Sequence, residues 1–197
     1  MRDKQRTEEE MAAYTVGELQ PLTEPIVIAD YDPRWRLLFQ REEERIRRAL
    51  GPRVVQLEHV GSTSVPGLAA KPRVDILLVV PDSADEAAYV PELVAQGYVL
   101  RIREPNWYEH RVLKGPDTDI NLHVFSAGCI EIERMLRFRD WLRTHDDDRD
   151  KYEQAKRALA ARPWRYVQHY ADAKTDVVEA ILERAMAGPR RATPGPA

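Results

Sequence analysis

Residues 57–77, LEHVGSTSVPGLAAKPRVDIL, constrain the fold of this chain more than any other stretch. They predict a β-strand, a loop of glycine and hydroxyl residues, and a second strand that is apolar except for Asp75. We place the strands at 54–60 and 73–80, because both runs are rich in β-branched residues and too short for helices. A carboxylate inside a buried strand is costly unless a cation lies nearby. The stretch therefore predicts a site as well as a fold.

The rest of the pattern predicts a mixed α/β (α+β) core whose C-terminal part is helical. An amphipathic helix is expected after Asp32, which can cap it, with Pro33 at its first position. A second helix over 83–97 must place Pro91 in its first turn or break there. Three strands follow at 98–102, 108–115 and 119–125, and from Glu131 onward the pattern is helical.

Length and composition bound the classes of protein that fit. A chain of 197 residues suits one domain, which we place at 25–187, with a flexible extension at 1–24 and a disordered tail at 188–197. The net charge of -3 predicts neither a nucleic acid template nor a membrane as partner, and no long apolar run is present. The one cysteine, Cys129, excludes an intramolecular disulfide and a multi-thiolate zinc site. We expect a cytoplasmic protein; the oligomeric state stays open.

The loop between the first two strands has the composition of a phosphate-binding turn. Backbone N–H groups and hydroxyls of such a turn can point at a phosphate. A Walker A loop is excluded, because Pro66 stands where that motif needs glycine and no Gly-Lys-Ser/Thr follows. The candidate phosphate-binding residues of the loop are Gly61, Ser62, Thr63 and Ser64.

The same stretch resembles the signature of the nucleotidyltransferase superfamily, the polymerase-beta-like fold. In that signature an apolar residue, glycine and serine precede a spacer and an acid, and here Val60-Gly61-Ser62 precedes residues 63–74 and Asp75. More narrowly, five blocks in this order resemble the GrpB family, whose members are predicted nucleotidyltransferases, over about residues 26–186: YDPRW, EHVGSTSVPGLAAKP, VDILLVV, LHVF and FRDWLRTH. The fold implied is a mixed β-sheet nucleotidyltransferase-like core.

The resemblance implies roles for particular residues. Gly61 and Ser62 would hold nucleotide phosphates, and Asp75 would bind Mg²⁺ or Mn²⁺. The superfamily has a second acid two residues later, where this chain has Leu77. Its third carboxylate would fall near 119–125, where polar residues alternate on one face, so a one-metal site would use Asp75 with His123 or Asp119. The candidate catalytic residues are Asp75 and His123.

Each of these residues also has a structural interpretation. The loop can be an ordinary turn, and Asp75 can pair with Lys71 or Arg73. Lys71 and Arg139 are candidate phosphate contacts, but Lys71 can also be solvated and Arg139 can pair with Asp140. The remaining open cases are histidines that can be satisfied in the core, aromatic residues that can pack or stack on a base, and lysines that can lie across tyrosine rings: His59, His123, Trp107, Tyr108, Tyr152 with Lys156, and Tyr170 with Lys174.

The leading functional hypothesis is a protein that binds a nucleoside triphosphate with a divalent cation and transfers a nucleotidyl group to a small acceptor. The alternative is a non-catalytic protein that binds a nucleotide or another phosphorylated small molecule, with a metal site degraded at Leu77. Members of the family also occur fused to dephospho-coenzyme A kinase, so the resemblance also implies an accessory role in coenzyme A metabolism.

Overall fold

The fold is built on one five-stranded mixed sheet, described here from a computed structural model over residues 5–188. The strand order is β1-β2-β5-β4-β3; β2 and β5 run parallel and every other neighbouring pair is antiparallel. The strands are β1 (Gln56–Val60), β2 (Val74–Val80), β3 (Val99–Glu104), β4 (His110–Lys114) and β5 (Ile120–Ser126). The predicted α+β class and the mixed sheet are confirmed.

Helices precede, interrupt and follow the sheet. Short 3-10 turns lie at Gly51–Arg53, Ser62–Ser64 and Glu86–Ala88. The helices are α1 (Glu8–Tyr14), α2 (Arg34–Leu50), α3 (Val90–Ala95), α4 (Ile130–Thr144), α5 (Asp146–Ala160), α6 (Val167–Asp172) and α7 (Thr175–Ala187). The predicted helical C-terminal part is therefore α4 to α7.

Local sequence signals explain where α2 and α3 begin. Asp32 Oδ1 accepts the N–H of Arg34 at 2.9 Å, which pairs one of the free donors at the start of α2. Pro91 stands in the first turn of α3, where its missing N–H costs nothing. The helix predicted over 83–97 is correspondingly short, with a 3-10 turn before it.

One face of the sheet packs against α2 and α3 to form the main core. The inward residues of the three central strands alternate with residues of the opposite face, as the period of a strand requires. These buried side chains include Ile76, Leu78, Val80, Leu113, Ile120, Leu122 and Val124 from the sheet, and Trp35, Ile46, Leu50 and Leu93 from the helices. This layer fixes the orientation of the sheet and so decides which side chains face the other way.

The other face of the sheet is only partly covered by apolar packing. Near β1 and β2, Leu77 is fully buried in a cluster with Val60, Val79 and Phe125, against which side chains of α4 pack. The rest of this face carries polar side chains beneath the C-terminal helices. Within residues 5–188, no helix is long and apolar enough to cross a membrane.

The N-terminal segment, which we expected to be a flexible extension, packs along β3. Met11 of α1 is fully buried, and the N–H of Val16 donates to the carbonyl of Arg101 at 2.9 Å. A capping box, in which Thr7 and Glu10 each accept the other's backbone N–H, starts α1. Of the tail expected to be disordered, residues 189–197 lie outside the described part of the chain. The domain limits stay predictions.

Candidate functional site

A cavity of about 500 Å³ lies between the polar face of the sheet and the C-terminal helices. The loop after β1 forms one end of its lining, and the N-terminal segment contributes Arg6 and Tyr14. Lysines and arginines outnumber carboxylates in the lining, so the cavity favours anions. The cations are Arg6, Lys71, Arg73, Arg101, Lys114, Lys156 and Lys174, and the carboxylates are Asp75, Glu104 and Glu131.

The glycine loop and the acid of β2 meet directly in this cavity. Gly61 has a left-handed φ of +67°, which glycine adopts without strain. A Cβ atom at this position would lie 2.5 Å from Oδ2 of Asp75, closer than a real contact allows. The chain therefore needs glycine here for two reasons, its backbone conformation and the approach of the carboxylate.

Asp75 is held by side chains of the neighbouring strand β5. Its Oδ1 atom accepts from Asn121 Nδ2 at 2.7 Å and lies 3.5 Å from His123 Nε2, while Lys114 Nζ donates to Asn121 Oδ1 at 2.5 Å. Burial alone would raise the pKa of Asp75, but His123, Asn121 and the charge of Arg73 outweigh it and lower the pKa to about 2. Asp75 is therefore ionised at neutral pH.

A row of acidic and imidazole groups crosses the sheet from β3 to β2. Glu104 Oε2 lies 2.8 Å from His110 Nδ1, and His110 Nε2 lies 3.1 Å from His123 Nδ1. The two imidazole rings stack nearly parallel, with centroids 5.3 Å apart. The row ends at Asp75, whose Oδ1 lies 3.5 Å from His123 Nε2, so polar groups follow one another across the sheet from β3 to β2.

The proton positions along this row follow from the neutrality of His110. Burial lowers the pKa of His110 to about 4, against an opposing hydrogen bond to Glu104, so the ring carries one proton at pH 7. Glu104 accepts a hydrogen bond from the N–H at His110 Nδ1, which leaves His110 Nε2 as an acceptor. His123 Nδ1 must then be the donor to it. The remaining ring nitrogen, His123 Nε2, faces Asp75 Oδ1 at 3.5 Å.

Two lysines in this part of the cavity lose their protons at a lower pH than an ordinary lysine does. Burial, together with the charge of Arg73, lowers the pKa values of Lys71 and Lys114 to about 8. No carboxylate within residues 5–188 lies at ion-pair distance from either ammonium group. An anion bound between them would supply the missing counter-charge.

Two of the four predicted loop residues face away from the cavity. Gly61 and Ser62 line it, whereas Thr63 and Ser64 are buried beneath the loop. Thr63 Oγ1 lies 3.0 Å from His59 Nε2, and Ser64 Oγ donates to the Gly61 carbonyl at 2.6 Å. These contacts hold the turn in shape, so the structure gives Thr63, Ser64 and His59 structural partners.

Arg139 and Asp119 are also not brought to the cavity. The Arg139 guanidinium is buried and donates to Glu58 at 2.8 Å and to the His59 carbonyl at 3.0 Å, so it ties α4 to β1. Asp119 precedes β5 and accepts from Arg73 at 2.6 Å. Of the proposed metal ligands, the structure therefore brings together Asp75 and His123.

Trp107 and the lysines of the two Tyr–Lys pairs line the cavity. Trp107 lines the cavity and packs edge-on against His110, with ring centroids 5.0 Å apart. The ammonium groups of Lys156 and Lys174 each lie 4.7 Å from the ring centroid of the tyrosine four residues earlier, the packing predicted for these pairs. Both lysines also line the cavity.

Sequence reasoning missed His110, Glu104 and Lys114. In β4, His110 and Lys114 are separated by four residues, so they share a strand face, and this alternation was a usable signal. Nothing local indicates that this face is the one that meets His123. Only the strand order, which places β4 beside β5, decides that.

The donor atoms fit one divalent cation held jointly with a ligand. Asp75 Oδ2 has no hydrogen-bond partner among residues 5–188, so its lone pairs are available toward the loop. No group of three or more His, Cys, Asp or Glu residues suited to a metal occurs in that range. Mg²⁺ is commonly bound in this way, by one or two carboxylates together with substrate phosphates and water. The two-carboxylate arrangement does not fit, because Leu77 is packed in an apolar cluster.

This chain is similar in sequence to known bacterial proteins. It is 64% identical to UPF0157 protein BH1888 of Halalkalibacterium halodurans, over 92% of this chain and 93% of the relative. It is 27% identical to a dephospho-CoA kinase of Mycolicibacterium paratuberculosis, over 87% of this chain but 46% of that protein.

A solved structure of a GrpB protein agrees with this placement. The crystal structure of conserved protein GrpB from Enterococcus faecalis matches with a TM-score of 0.73 and 30% identity, over 82% of this chain and 98% of that one. The Cid1 poly(U) polymerase with Mg and 3'-dATP bound matches at a TM-score of 0.42 and 13% identity, over 74% and 49% of the two chains. The model of the GrpB protein family matches residues 25–184. The chain belongs to the GrpB family.

Proposed function

We propose that this protein binds a nucleoside triphosphate with one divalent cation and transfers a nucleotidyl group to a small acceptor. One observation carries the proposal: Gly61, Asp75 and His123 converge in a cavity whose lining is rich in cations. A glycine turn, an ionised carboxylate and lysines that have no carboxylate partner within residues 5–188 are groups suited to binding a metal-bound triphosphate.

The phosphates would lie between the loop and the lysines. Ser62 and the loop backbone offer hydrogen-bond donors, and Lys71 and Lys114 offer charge. Asp75 would hold Mg²⁺ or Mn²⁺ together with phosphate oxygens, and the ion would neutralise charge on the transferred group. Trp107, at the same cavity, presents a ring on which a base can stack.

In this proposal His123 removes the proton of the acceptor hydroxyl. In the proposed reaction the acceptor oxygen bonds to the α-phosphorus, the bond from that phosphorus to the bridging oxygen breaks, and diphosphate leaves. His123 Nε2 takes the hydroxyl proton, and the neighbouring Asp75 carboxylate stabilises the imidazolium that results. His110 holds the ring in the required tautomer from the other side.

Leu77 favours a second candidate function. Leu77 stands where two-metal transferases carry their second carboxylate, and it is completely buried among apolar side chains. In this alternative the same cavity binds a nucleotide or another phosphorylated metabolite without turnover. The relative named dephospho-CoA kinase suggests one setting for such a protein, alongside coenzyme A metabolism.

Nucleotide binding is tested by calorimetry with each common ribonucleoside triphosphate in the presence of Mg²⁺ or Mn²⁺. We expect wild-type protein to bind at least one of them, and Asp75→Asn to lose the metal-dependent part of the affinity. Asp117→Asn is the matched control, because Asp117 also precedes β5 but pairs with Arg45 of α2 and is not among the residues lining the cavity. If wild-type protein binds none of the triphosphates with either metal, the proposal fails.

Turnover is tested by diphosphate release with pools of hydroxyl-bearing acceptors. We expect His123→Gln to keep nucleotide affinity and to lose about 100-fold or more of the release rate, since it removes the proton acceptor. Binding without diphosphate release from any acceptor by the wild type would favour the non-catalytic alternative.

A further inference from the structure

A second group of cations lines the cavity on the side formed by the C-terminal helices. Lys156 of α5 is only 2% exposed, and its ammonium group donates to the carbonyl of Ala69. Lys174 lies just before α7, and both lysines line the cavity. Within residues 5–188, neither ammonium lies at ion-pair distance from a carboxylate.

This arrangement is costly in the absence of a bound anion. A buried ammonium without a counter-ion loses hydration that one carbonyl only partly replaces. Burial, and then the like charge of Lys174, lower the pKa of Lys156 to about 7. Arg6, which also lines the cavity, differs because its guanidinium is paired with Asp172 at 2.7 Å. Lys156 and Lys174 are thus a pair of neighbouring cations with no carboxylate partner in the described part of the chain.

The pair is distinct from the cations around Asp75. Lys71 and Lys114 both feel the charges of Arg73, Asp75 and Asp119, the groups at the sheet side. Lys156 instead feels Lys174, Glu153 and Arg157, all from helices or the segments between them. The cavity therefore has two cationic ends, and a triphosphate beside Asp75 uses one of them.

The repeated sequence pattern builds this second end. In Tyr152-x-x-Ala-Lys156 and Tyr170-x-x-Ala-Lys174 the tyrosine and the lysine stand one helical turn apart. Each ring supports its ammonium at 4.7 Å from the centroid, which fixes the position of the charge. When both are protonated, the two ammonium groups carry the charge that balances one phosphate monoester, whose charge is about -1.5 to -2 at pH 7.

We propose that Lys156 and Lys174 form a second anion subsite, which binds a phosphate group carried by the acceptor. The identity of the ligand as the acceptor rests on the proposed function, but the subsite itself does not depend on transfer chemistry. A phosphorylated acceptor would bridge the cavity, with its phosphate at the helical end and its hydroxyl toward His123.

The test uses inorganic phosphate as the probe, titrated by calorimetry into wild-type protein and the variant Lys156→Met/Lys174→Met. We expect the double variant to lose about tenfold or more in phosphate affinity. Lys151→Met is the matched control, because Lys151 lies on the same helix but is largely exposed and is not among the residues lining the cavity. Thermal unfolding checks that each variant folds, and Lys174→Met alone serves if the double variant does not.

A second titration separates the subsite from the nucleotide site. With Mg²⁺ present, we expect the double variant to keep its affinity for nucleoside triphosphate within about threefold, whereas Lys71→Met loses more. Unchanged phosphate affinity in the double variant, or an equal loss of triphosphate affinity, overturns the inference. If wild-type protein binds no triphosphate but loses phosphate binding in the double variant, the proposed function fails and the subsite stands.

Discussion

The two faces of the central sheet are specified by different kinds of information. Along β5, Ile120, Leu122 and Val124 are fully buried in the core beneath α2 and α3. The residues between them, Asn121 and His123, face the cavity and are bonded to partners on other strands. One face depends on volume and apolar area, and the other on matched donors and acceptors. Neighbouring residues of one strand should therefore respond very differently to substitution.

The sharpest test of this contrast compares Leu122→Ala with Asn121→Ala. We expect Leu122→Ala to lower the free energy of unfolding by about 2 to 5 kcal/mol, because it leaves a cavity in the main core. Asn121→Ala leaves Asp75 and Lys114 without one partner each and should cost about 1 to 2 kcal/mol. Urea unfolding of both variants measures the difference. Equal losses would show that the polar face contributes to folding as much as the core does.

The apolar face was the more predictable one from sequence, because its signal is local. Strand alternation and helix periodicity in this chain predicted most elements to within a few residues, including the face shared by Asn121 and His123. The pairing of Arg139 with Asp140 was predicted and is confirmed, but its bonds to Glu58 and His59 were not readable, since these residues lie about 80 positions away in sequence. His110 likewise gains meaning only when β4 pairs with β5. Contacts across the sheet depend on topology, which no local pattern contains.

Lys156→Met should stabilise the protein at neutral pH, in contrast to substitutions in the core. Since the pKa of Lys156 falls from 10.5 to about 7 on folding, the unfolded chain binds more protons between these values. The penalty is then complete below about pH 7 and fades as pH rises to 10.5. We expect a gain of roughly 1 to 3 kcal/mol at pH 7.

Chemical denaturation of Lys156→Met and wild type at pH 7, 8.5 and 10 measures this difference. The advantage of the variant should shrink with rising pH. Lys151→Met, whose side chain is exposed on the same helix, should show no such trend. A variant that is less stable than wild type at pH 7 would mean that the bond to Ala69 outweighs the cost of burial.

Asp75, like Lys156, should make stability rise with pH, but it does so in an acidic window and as a favourable contribution rather than a penalty. Its pKa is lowered from 3.8 to about 2, so its contribution to stability is present above pH 4 and lost as pH falls toward 2. We expect wild-type protein to lose on the order of 1 to 2 kcal/mol more than Asp75→Asn across this interval. Urea unfolding at pH 5, 4, 3 and 2 measures it, with Asp119→Asn as the exposed control. Parallel curves for Asp75→Asn and wild type would contradict the network around this carboxylate.

The smallest expected effect concerns the segment that completes the wall of the polar cavity. Thr7→Ala removes one half of the capping box of α1 and should cost about 0.5 to 1 kcal/mol of local stability. Arg6 lies just before α1 and Tyr14 is its last residue. Because both line the cavity, loosening α1 changes the cavity without touching Asp75. Hydrogen exchange of residues 8–14 should quicken several-fold, while exchange in β2 and β5 stays unchanged. Exchange that quickened equally in α1 and in the sheet would mean that the segment unfolds only with the whole domain, and the cavity wall would then be part of the core rather than a separate cover.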